Sequence, residues 1–291
     1  MKTKTLIIIL FIISSIIFSP VISLSDDTRV GEMFETADDI ITAIRDGNTA
    51  EYEQCLYLEI LYDEDGLNTI PQNAFSFFPN VQELTIDSGV TCEDYSSIKD
   101  LRNLTVLNLC DADLVNIDFL NSLTNLQILG LSGNSIRNGN PIASLRDLEF
   151  LDVSENELSD ISFVSELINL KVLYIEGNKG ISDITPLSIL EKLEALSLSN
   201  TAVKDIESLC TLKKLEELSA AGNGIDNLDP ISVLENLIWL DVRNNNIFDV
   251  SSLSKLKKLE YLYLAGNPIE NLQTLKELPL ISLDDIMELA P

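Results

Sequence analysis

The feature that most constrains this chain is an apolar pattern that recurs about every 22 residues. The pattern is L-x-x-L-x-L-x-x-N-x-L, and a clean example runs from Leu126 to Ile136. The spacings between the first residues of successive copies are 24, 23, 22, 22, 22, 23, 22, 22 and 22. Such regularity indicates a repeat architecture, in which each unit packs against its neighbours. The ten starting positions are Tyr57, Val81, Leu104, Leu126, Leu148, Leu170, Leu193, Leu215, Leu237 and Leu259.

The apolar core of each copy alternates with period two, which predicts a short β-strand with one buried face. One such strand cannot bury its apolar face alone, so successive copies must stack. Stacking places the strands parallel and about 4.8 Å apart along one wall. We therefore predict an α/β repeat solenoid, a horseshoe of about ten coils with one continuous parallel sheet on its concave face.

An asparagine follows the strand in most copies, at the turn that leaves it. A buried amide at this turn can bond backbone groups of neighbouring coils that would otherwise lack partners. Two copies depart from the pattern, with Ala112 and Thr201 in this place. We predict a structural ladder formed by Asn134, Asn156, Asn178, Asn223, Asn245 and Asn267.

The second half of each copy is short and contains the pattern D-I-(S/T)-P-L or a variant of it. Residues 183–187 read Asp-Ile-Thr-Pro-Leu, and residues 160–164 read Asp-Ile-Ser-Phe-Val. Twenty-two residues leave no room for a long helix after the strand and turn, and proline opposes one. We expect 3₁₀ or irregular turns on the convex side.

These repeats resemble the 22-residue leucine-rich repeats of the internalin family of bacterial surface proteins, over residues 104–278. The resemblance implies a secreted or surface protein that binds a host or neighbouring protein with its concave face. A structural envelope or cell-surface repeat protein without a specific ligand is one alternative. Cytosolic proteins of the phosphatase-regulator type share the repeat length, so an intracellular scaffold is another if the N-terminal segment is not a signal peptide.

The N-terminal segment has the features of a signal peptide. Lys2 and Lys4 precede an apolar run over residues 6–18, and small residues follow at the cleavage spacing. The run is shorter than the roughly 20 residues of a membrane-spanning helix. We expect a mature chain that starts at Leu24 or Asp26, in a secreted or extracytoplasmic surface location.

The two ends of the solenoid need caps, because terminal coils would expose the core. We predict an N-terminal helical cap in which one amphipathic helix spans Asp26 to Gly47, and a short helix near the C-terminus. The predicted division is a signal peptide (1–25), an N-terminal cap (26–54), leucine-rich repeats (55–280) and a C-terminal cap (281–291). The apolar positions behind the two helices are Phe34, Ala37, Ile41 and Ile44, and then Leu283, Ile286, Met287 and Leu289.

Charge and composition exclude several functions. The net charge of −28 repels nucleic acids and anionic lipid surfaces, and favours a neutral or basic partner. The chain contains no histidine, which removes histidine-based triads and zinc motifs. No motif indicates a catalytic site, a metal site or a cofactor. We therefore expect a non-enzymatic, monomeric protein that binds a protein, or alternatively a glycan.

The cysteines and one glycosylation sequon carry less information. Strand spacing separates Cys210 from the other thiols by more than a disulfide allows, so at most one bridge can form among Cys55, Cys92 and Cys110. Cys210 is interpreted as a small buried apolar residue. Asn103 begins a sequon, but an asparagine precedes the repeat start in other copies too, so Asn103 is a repeat residue first.

The outward positions of the strands define the candidate binding site. Residues 2, 4 and 6 after each repeat start point away from the core, and repeat proteins need no aromatic residues there for stability. Packing against cross-strand neighbours explains Val106 and Ile128 well, but explains exposed aromatics in the last coils less well. We predict a protein-binding site centred on Trp239, Tyr261 and Tyr263. The full candidate set is Phe150, Asp152, Tyr174, Trp239, Asp241, Arg243, Tyr261 and Tyr263.

Overall fold

The computed structural model describes residues 32–279. Within this range eleven strands form one continuous parallel sheet in chain order, and β3 pairs with β5 in a separate small parallel sheet. The predicted solenoid and its concave sheet are confirmed. The strands are β1 (Glu32–Thr36), β2 (Tyr57–Leu61), β3 (Thr69–Ile70), β4 (Glu83–Ile86), β5 (Thr91–Cys92), β6 (Val106–Asn108), β7 (Ile128–Gly130), β8 (Phe150–Asp152), β9 (Val172–Tyr174), β10 (Ala195–Ser197), β11 (Glu217–Ser219), β12 (Trp239–Asp241) and β13 (Tyr261–Tyr263).

The register of the sheet follows the repeat. Leu107 lies opposite Leu129, which lies opposite Leu151, and all three side chains are fully buried. Each coil therefore covers the apolar face of the coil before it. Burial of this continuous leucine column supplies the main favourable free energy of the fold, because removing apolar surface from water is worth about 25 cal/mol per Å².

The first repeat is the exception to the predicted alignment. Leu58 pairs with Leu84 and Ile60 with Ile86, so the position that starts this repeat is Cys55 rather than Tyr57. Cys55 is buried, as its place in the column requires, whereas Tyr57 is half-buried on the outward side of β2. The prediction of Tyr57 as a core position was wrong because a small cysteine fills a place that leucine occupies elsewhere.

The N-terminal segment contributes a strand as well as a helix. Strand β1 pairs along its whole length with β2, and helix α1 (Ala37–Asp46) follows it. The predicted single helix from Asp26 to Gly47 was therefore wrong for Glu32–Thr36, because pairing there satisfies the free edge of the sheet. The predicted signal peptide, the beginning of the predicted cap and the predicted C-terminal helix lie outside the described residues.

Helix α1 has a well-defined start and end. The Thr36 side chain accepts a hydrogen bond from the Asp39 amide, and the Asp39 side chain accepts one from the Thr36 amide. This reciprocal capping box satisfies two amides that a helix start leaves without partners. Gly47 ends the helix in the left-handed conformation, and Ala37 and Ile40 are buried beneath it.

The convex side consists of short 3₁₀ helices, as predicted. The Asp183 carboxylate accepts a hydrogen bond from the Thr185 amide (2.8 Å), just before a helix begins. The same turn occurs at Asp160 and Ser162, so the aspartate of the D-I-(S/T) pattern starts the helix. The helices are Tyr52–Gln54, Ala74–Phe77, Tyr95–Asp100, Asp118–Ser122, Asn140–Ser144, Ser162–Glu166, Thr185–Ile189, Glu207–Thr211, Asp229–Val233, Ser251–Lys255 and Leu272–Glu277.

The predicted asparagine ladder joins consecutive coils. The Asn156 amide nitrogen donates to the carbonyls of Leu131, Val153 and Ser154 at 2.9, 3.1 and 2.9 Å. Its carbonyl oxygen accepts from the Ile136 amide at 2.9 Å. One buried side chain thus bonds its own turn and the preceding coil. Thr201 replaces the asparagine in one coil, and its hydroxyl donates to the Leu198 carbonyl instead.

The residue before the ladder position always has positive φ in the eight coils from Leu104 onward. Glycine occupies it in every second coil, and a residue with a side chain occupies it in the others. A Cβ atom on Gly177 would collide with the Glu155 side chain of the preceding coil. Two adjacent coils therefore have no room for two such side chains. The eight residues are Asp111, Gly133, Glu155, Gly177, Asn200, Gly222, Asn244 and Gly266.

A second asparagine ladder runs on the surface, at the position before five of the ten repeat starts: Asn80, Asn103, Asn125, Asn169 and Asn236. The Asn125 and Asn169 amides each donate to a carbonyl of the preceding coil at 2.9 Å. Asn103 donates to the Pro79 carbonyl at 3.4 Å, which confirms its interpretation as a repeat residue.

Replacing Asn156 by alanine tests the buried ladder. The variant should lower the free energy of unfolding by about 3 kcal/mol, because it leaves buried backbone groups without partners. Asn169→Ala is the matched control on the surface ladder and should cost about 1 kcal/mol or less, since its two hydrogen bonds, to the Arg146 carbonyl and from the Lys192 ammonium, are exposed and water can replace them. Urea denaturation monitored by circular dichroism measures both. Equal losses in the two variants would contradict the role assigned to the buried amide.

Candidate functional site

The last two concave strands, with Arg243 two residues beyond the end of β12, hold five of the eight predicted site residues in one group. We call Trp239, Asp241, Arg243, Tyr261 and Tyr263 the C-terminal aromatic cluster. Trp239 lies opposite Tyr261, and Asp241 lies opposite Tyr263. The Trp239 and Tyr263 rings have centroids 5.6 Å apart with their planes tilted by 52°. All three aromatic side chains are half-buried, so each presents part of its ring to the concave space.

Arg243 is held in place by its own strand and by a neighbouring ring. Its Nη2 atom lies 2.6 Å from one Asp241 carboxylate oxygen, and its Nε atom lies 3.0 Å from the other. Its guanidinium carbon lies 5.4 Å from the Tyr263 ring centroid, within range of a cation–π interaction. Asp241 lies on the outward face, as the alternation predicts, but it is only 3% exposed, because Arg243 folds over it. Asp241 therefore positions Arg243, which remains exposed.

The other three predicted residues form a separate group in the middle of the sheet. Phe150 and Tyr174 meet edge to face with ring centroids 5.6 Å apart. Phe150 and Asp152 lie on the outward face, as the alternation predicts, but they are only 4% and 5% exposed and offer little surface to a partner. Neighbouring strands cover them, and Asp152 accepts hydrogen bonds from the amide and hydroxyl of Ser154. Only Tyr174 of this group presents a partly exposed surface.

Burial also changes the acidity of the concave carboxyl groups. It raises the pKa of Asp152 to about 6, with a further rise from the Glu176 charge, against hydrogen bonds from Ser154 that lower it. Burial likewise raises the pKa of Glu176, whose Oε2 atom is buried with no hydrogen-bond partner among the described residues. The concave wall is therefore acidic but poorly hydrated around these strands.

Glu217 is a concave residue that the sequence-based prediction of the site did not include. It is 8% exposed and lies between Ala195 and Trp239 in the sheet. Burial raises its pKa to about 7, and the neighbouring Glu216 charge adds to the rise. The available signal was an acidic residue in a row that is otherwise apolar or aromatic from Val106 to Tyr261.

The raised pKa of Glu217 makes stability depend on pH. The folded state holds its proton to about pH 7, whereas an unfolded glutamate releases it near 4.5, so this residue lowers stability as pH rises between those values. Relative to wild type, Glu217→Gln should gain roughly 1–3 kcal/mol in free energy of unfolding between about pH 4 and pH 8. Chemical denaturation across this pH range measures the gain.

The control for this measurement is Glu207→Gln, which removes an equal charge from an exposed convex residue. Its free energy of unfolding should stay parallel to wild type across the pH range. A parallel profile for Glu217→Gln as well would contradict the burial of an ionisable carboxyl group on the concave wall.

The cysteines take no part in this site. All four are free, so the disulfide that the sequence left open does not form. Cys210 is half-buried, and the expectation that it is fully buried was wrong. Among residues 32–279, no group of three or more acidic or cysteine side chains is arranged to hold a metal ion. No helix in that range is long and apolar enough to cross a membrane.

Comparison with known proteins identifies the class. The profile of a family described as "Leucine-rich repeat region" matches residues 81–229, and one described as "Leucine Rich repeats (2 copies)" matches residues 235–277. The chain belongs to the leucine-rich repeat family. No curated protein sequence matches it.

Solved structures narrow the class to internalin-like proteins. An internalin (InlF) from Listeria monocytogenes is 25% identical with a TM-score of 0.76, and the match covers 81% of this chain and 68% of that one. Internalin C2 from the same species is 29% identical with a TM-score of 0.61, covering 63% and 81%. A plant ice-binding protein, 22% identical with a TM-score of 0.61 over 78% and 80%, shares the fold alone. The fold is typically a non-enzymatic binding scaffold.

Proposed function

We propose that this chain is an exported protein-binding module whose partner contacts the C-terminal aromatic cluster. The observation that carries the proposal is the contact set of Trp239, Tyr263 and Arg243 on the concave face. Tryptophan, tyrosine and arginine are the residue types most enriched at binding hot spots. Here they project from adjacent strands of one sheet, so little conformational entropy is lost on binding.

Electrostatics favour a partner with basic groups. The chain carries a net charge of −28, and the concave wall adds buried carboxyl groups beside the aromatic rings. Complementary charge speeds association more than it increases affinity. Internalin-like structural relatives support a protein as the partner, with a glycan as the other ligand that aromatic rings and acidic groups accommodate.

The export part of the proposal rests on the N-terminal sequence. Residues 1–25 have a basic start, an apolar run and small residues at the cleavage spacing. We retain the division into signal peptide (1–25), N-terminal cap (26–54), repeats (55–280) and C-terminal cap (281–291). In this arrangement the repeats act outside the cytoplasm.

Cleavage of the signal peptide has a direct test. Protein expressed with its native N-terminus in a secreting host should appear in the exported fraction with Leu24 or Asp26 as its first residue. Intact-mass and N-terminal peptide mass spectrometry identify that residue. Exported material that still begins at Met1 or Lys2 would contradict the proposal.

The binding face is tested with Trp239→Ala. A partner selected from a displayed protein library should bind the variant at least 30-fold more weakly, about 2 kcal/mol, because the central aromatic anchor is gone. The free energy of unfolding should change by about 1 kcal/mol or less, since Trp239 is only half-buried. Calorimetric titration and a denaturation curve on the same sample measure the two quantities.

Phe248→Ala is the matched control, because Phe248 is an aromatic residue that is 52% exposed and lies after the concave strand. Its loss should leave affinity unchanged. If Trp239→Ala lowers stability but leaves affinity per folded molecule intact, Trp239 has only a structural role and packs against its neighbours in the sheet. That outcome would favour the structural repeat protein without a specific ligand.

A further inference from the structure

Three carboxylate side chains on the concave wall are more than nine-tenths buried, and they differ in their partners. Asp152 accepts two hydrogen bonds from Ser154, and Asp241 accepts hydrogen bonds from the Nε and Nη2 atoms of Arg243. Glu217, which is 8% exposed, has no hydrogen-bond or ion-pair partner within residues 32–279, and only burial and the Glu216 charge act on its carboxyl group. A buried carboxylate without a partner is unfavourable, so its presence calls for an explanation.

The surroundings of Glu217 leave its outward side to a ligand. Its neighbours across the sheet are the small Ala195 on β10 and the indole of Trp239 on β12. Tyr174, one strand further, is close enough that the Glu217 charge, after burial itself, raises the tyrosine pKa. Alternation along β11 points Glu217 toward the concave space, away from the buried Leu218. An acidic group thus lies between two aromatic residues.

A second buried carboxylate of the concave wall, Asp241, shows which kind of group pairs with a carboxylate that lies beside an aromatic ring. One strand away, the guanidinium of Arg243 pairs with the buried Asp241 and lies 5.4 Å from the Tyr263 ring centroid. Glu217 and Trp239 provide the same two elements, a buried carboxylate and an aromatic face, but the residue two positions after Glu217 is Ser219. The strand that carries Glu217 therefore supplies no cation of its own.

We propose that the concave wall between Tyr174 and Trp239 is a receptor site for one cationic side chain of the partner, an arginine or a lysine, with Glu217 as its counter-ion. This inference rests on the proposed function. The charge-assisted hydrogen bonds and the aromatic face stabilise the cation together, because both are strengthened where water is excluded.

Occupancy of this site depends on pH. The groups that face Glu217 are Tyr174 from β9, the uncharged Ala195 and Ser197 from β10, and Trp239 and the Arg243-bound Asp241 from β12, with Glu216 adjacent in sequence. None of them supplies a free positive charge. Glu217, with a pKa of about 7, is neutral in mild acid and charged in mild base, so a cation binds better as pH rises.

The single tryptophan of the chain is the natural reporter, because it is Trp239. The probe is an acetylated, amidated glycine pentapeptide with a central arginine, and its matched control carries the uncharged isostere citrulline. At about pH 8 the arginine peptide should change Trp239 fluorescence saturably, and at about pH 5.5 it should bind at least tenfold more weakly. The citrulline peptide should not bind at either pH.

Variants separate the site from general electrostatic attraction. Glu217→Gln should lose tenfold or more in affinity and lose the pH dependence, while Glu207→Gln removes the same charge from the convex side and should behave as wild type. Glu217→Asp keeps the charge on a shorter side chain and should retain the pH dependence at lower affinity. No saturable signal below about 10 mM peptide, or equal binding of citrulline, would overturn the proposal.

This test also distinguishes the site from the binding face as a whole. A library-selected partner that depends on Trp239 but ignores Glu217→Gln and pH would refute the cation site and leave the proposed function standing. An arginine peptide that binds as expected, together with partners indifferent to Trp239→Ala, would establish the site and refute the proposed function.

Discussion

The buried asparagine that follows most strands of the repeats is the interaction on which the coil stack depends. A 22-residue coil leaves backbone carbonyls at its turn that no helix or strand satisfies, and an amide is the side chain that donates twice and accepts in one place. Asn178 bonds the carbonyls of Val153 and Ile175, one from each of two coils. Leucine burial drives the coils together, but the amides fix their register. With the register fixed, residues at one repeat position become neighbours across the sheet.

That register determines what the concave wall can do. Because inward positions hold the fold, outward positions are free to vary, and they vary strongly between the middle and the end of the sheet. Small residues on β10 separate the Phe150–Tyr174 pair from the C-terminal aromatic cluster. Glu217 lies in this interval, where its carboxyl group is buried by its neighbours rather than by the core. The inward face of each strand therefore holds the core, and the outward face carries the residues that we propose bind a partner.

The sequence predicted the repeating parts of the fold, because the same residue type recurs at the same position in several coils and each copy supports the assignment of the others. It failed where the chain departs from the repeat: Cys55 replaces a leucine, and β1 pairs with the sheet edge although its apolar spacing suits a helix. It predicted which residues face the concave side, since alternation decides that. It could not predict their exposure. Asp241 is buried because the Arg243 side chain folds back over it, and the repeat pattern does not determine the conformation of a side chain.

The central claim is that the concave aromatic residues, and no other exposed aromatic residues, form the binding face. Hydroxyl-radical footprinting of the chain with and without a selected partner measures this directly, because oxidation rates report the exposure of individual rings. The account predicts that Trp239, Tyr261 and Tyr263 become protected, while Tyr62 and Phe248, which are 50% and 52% exposed, react as before. Protection of Tyr62 or Phe248 with unchanged oxidation of Trp239 would contradict it.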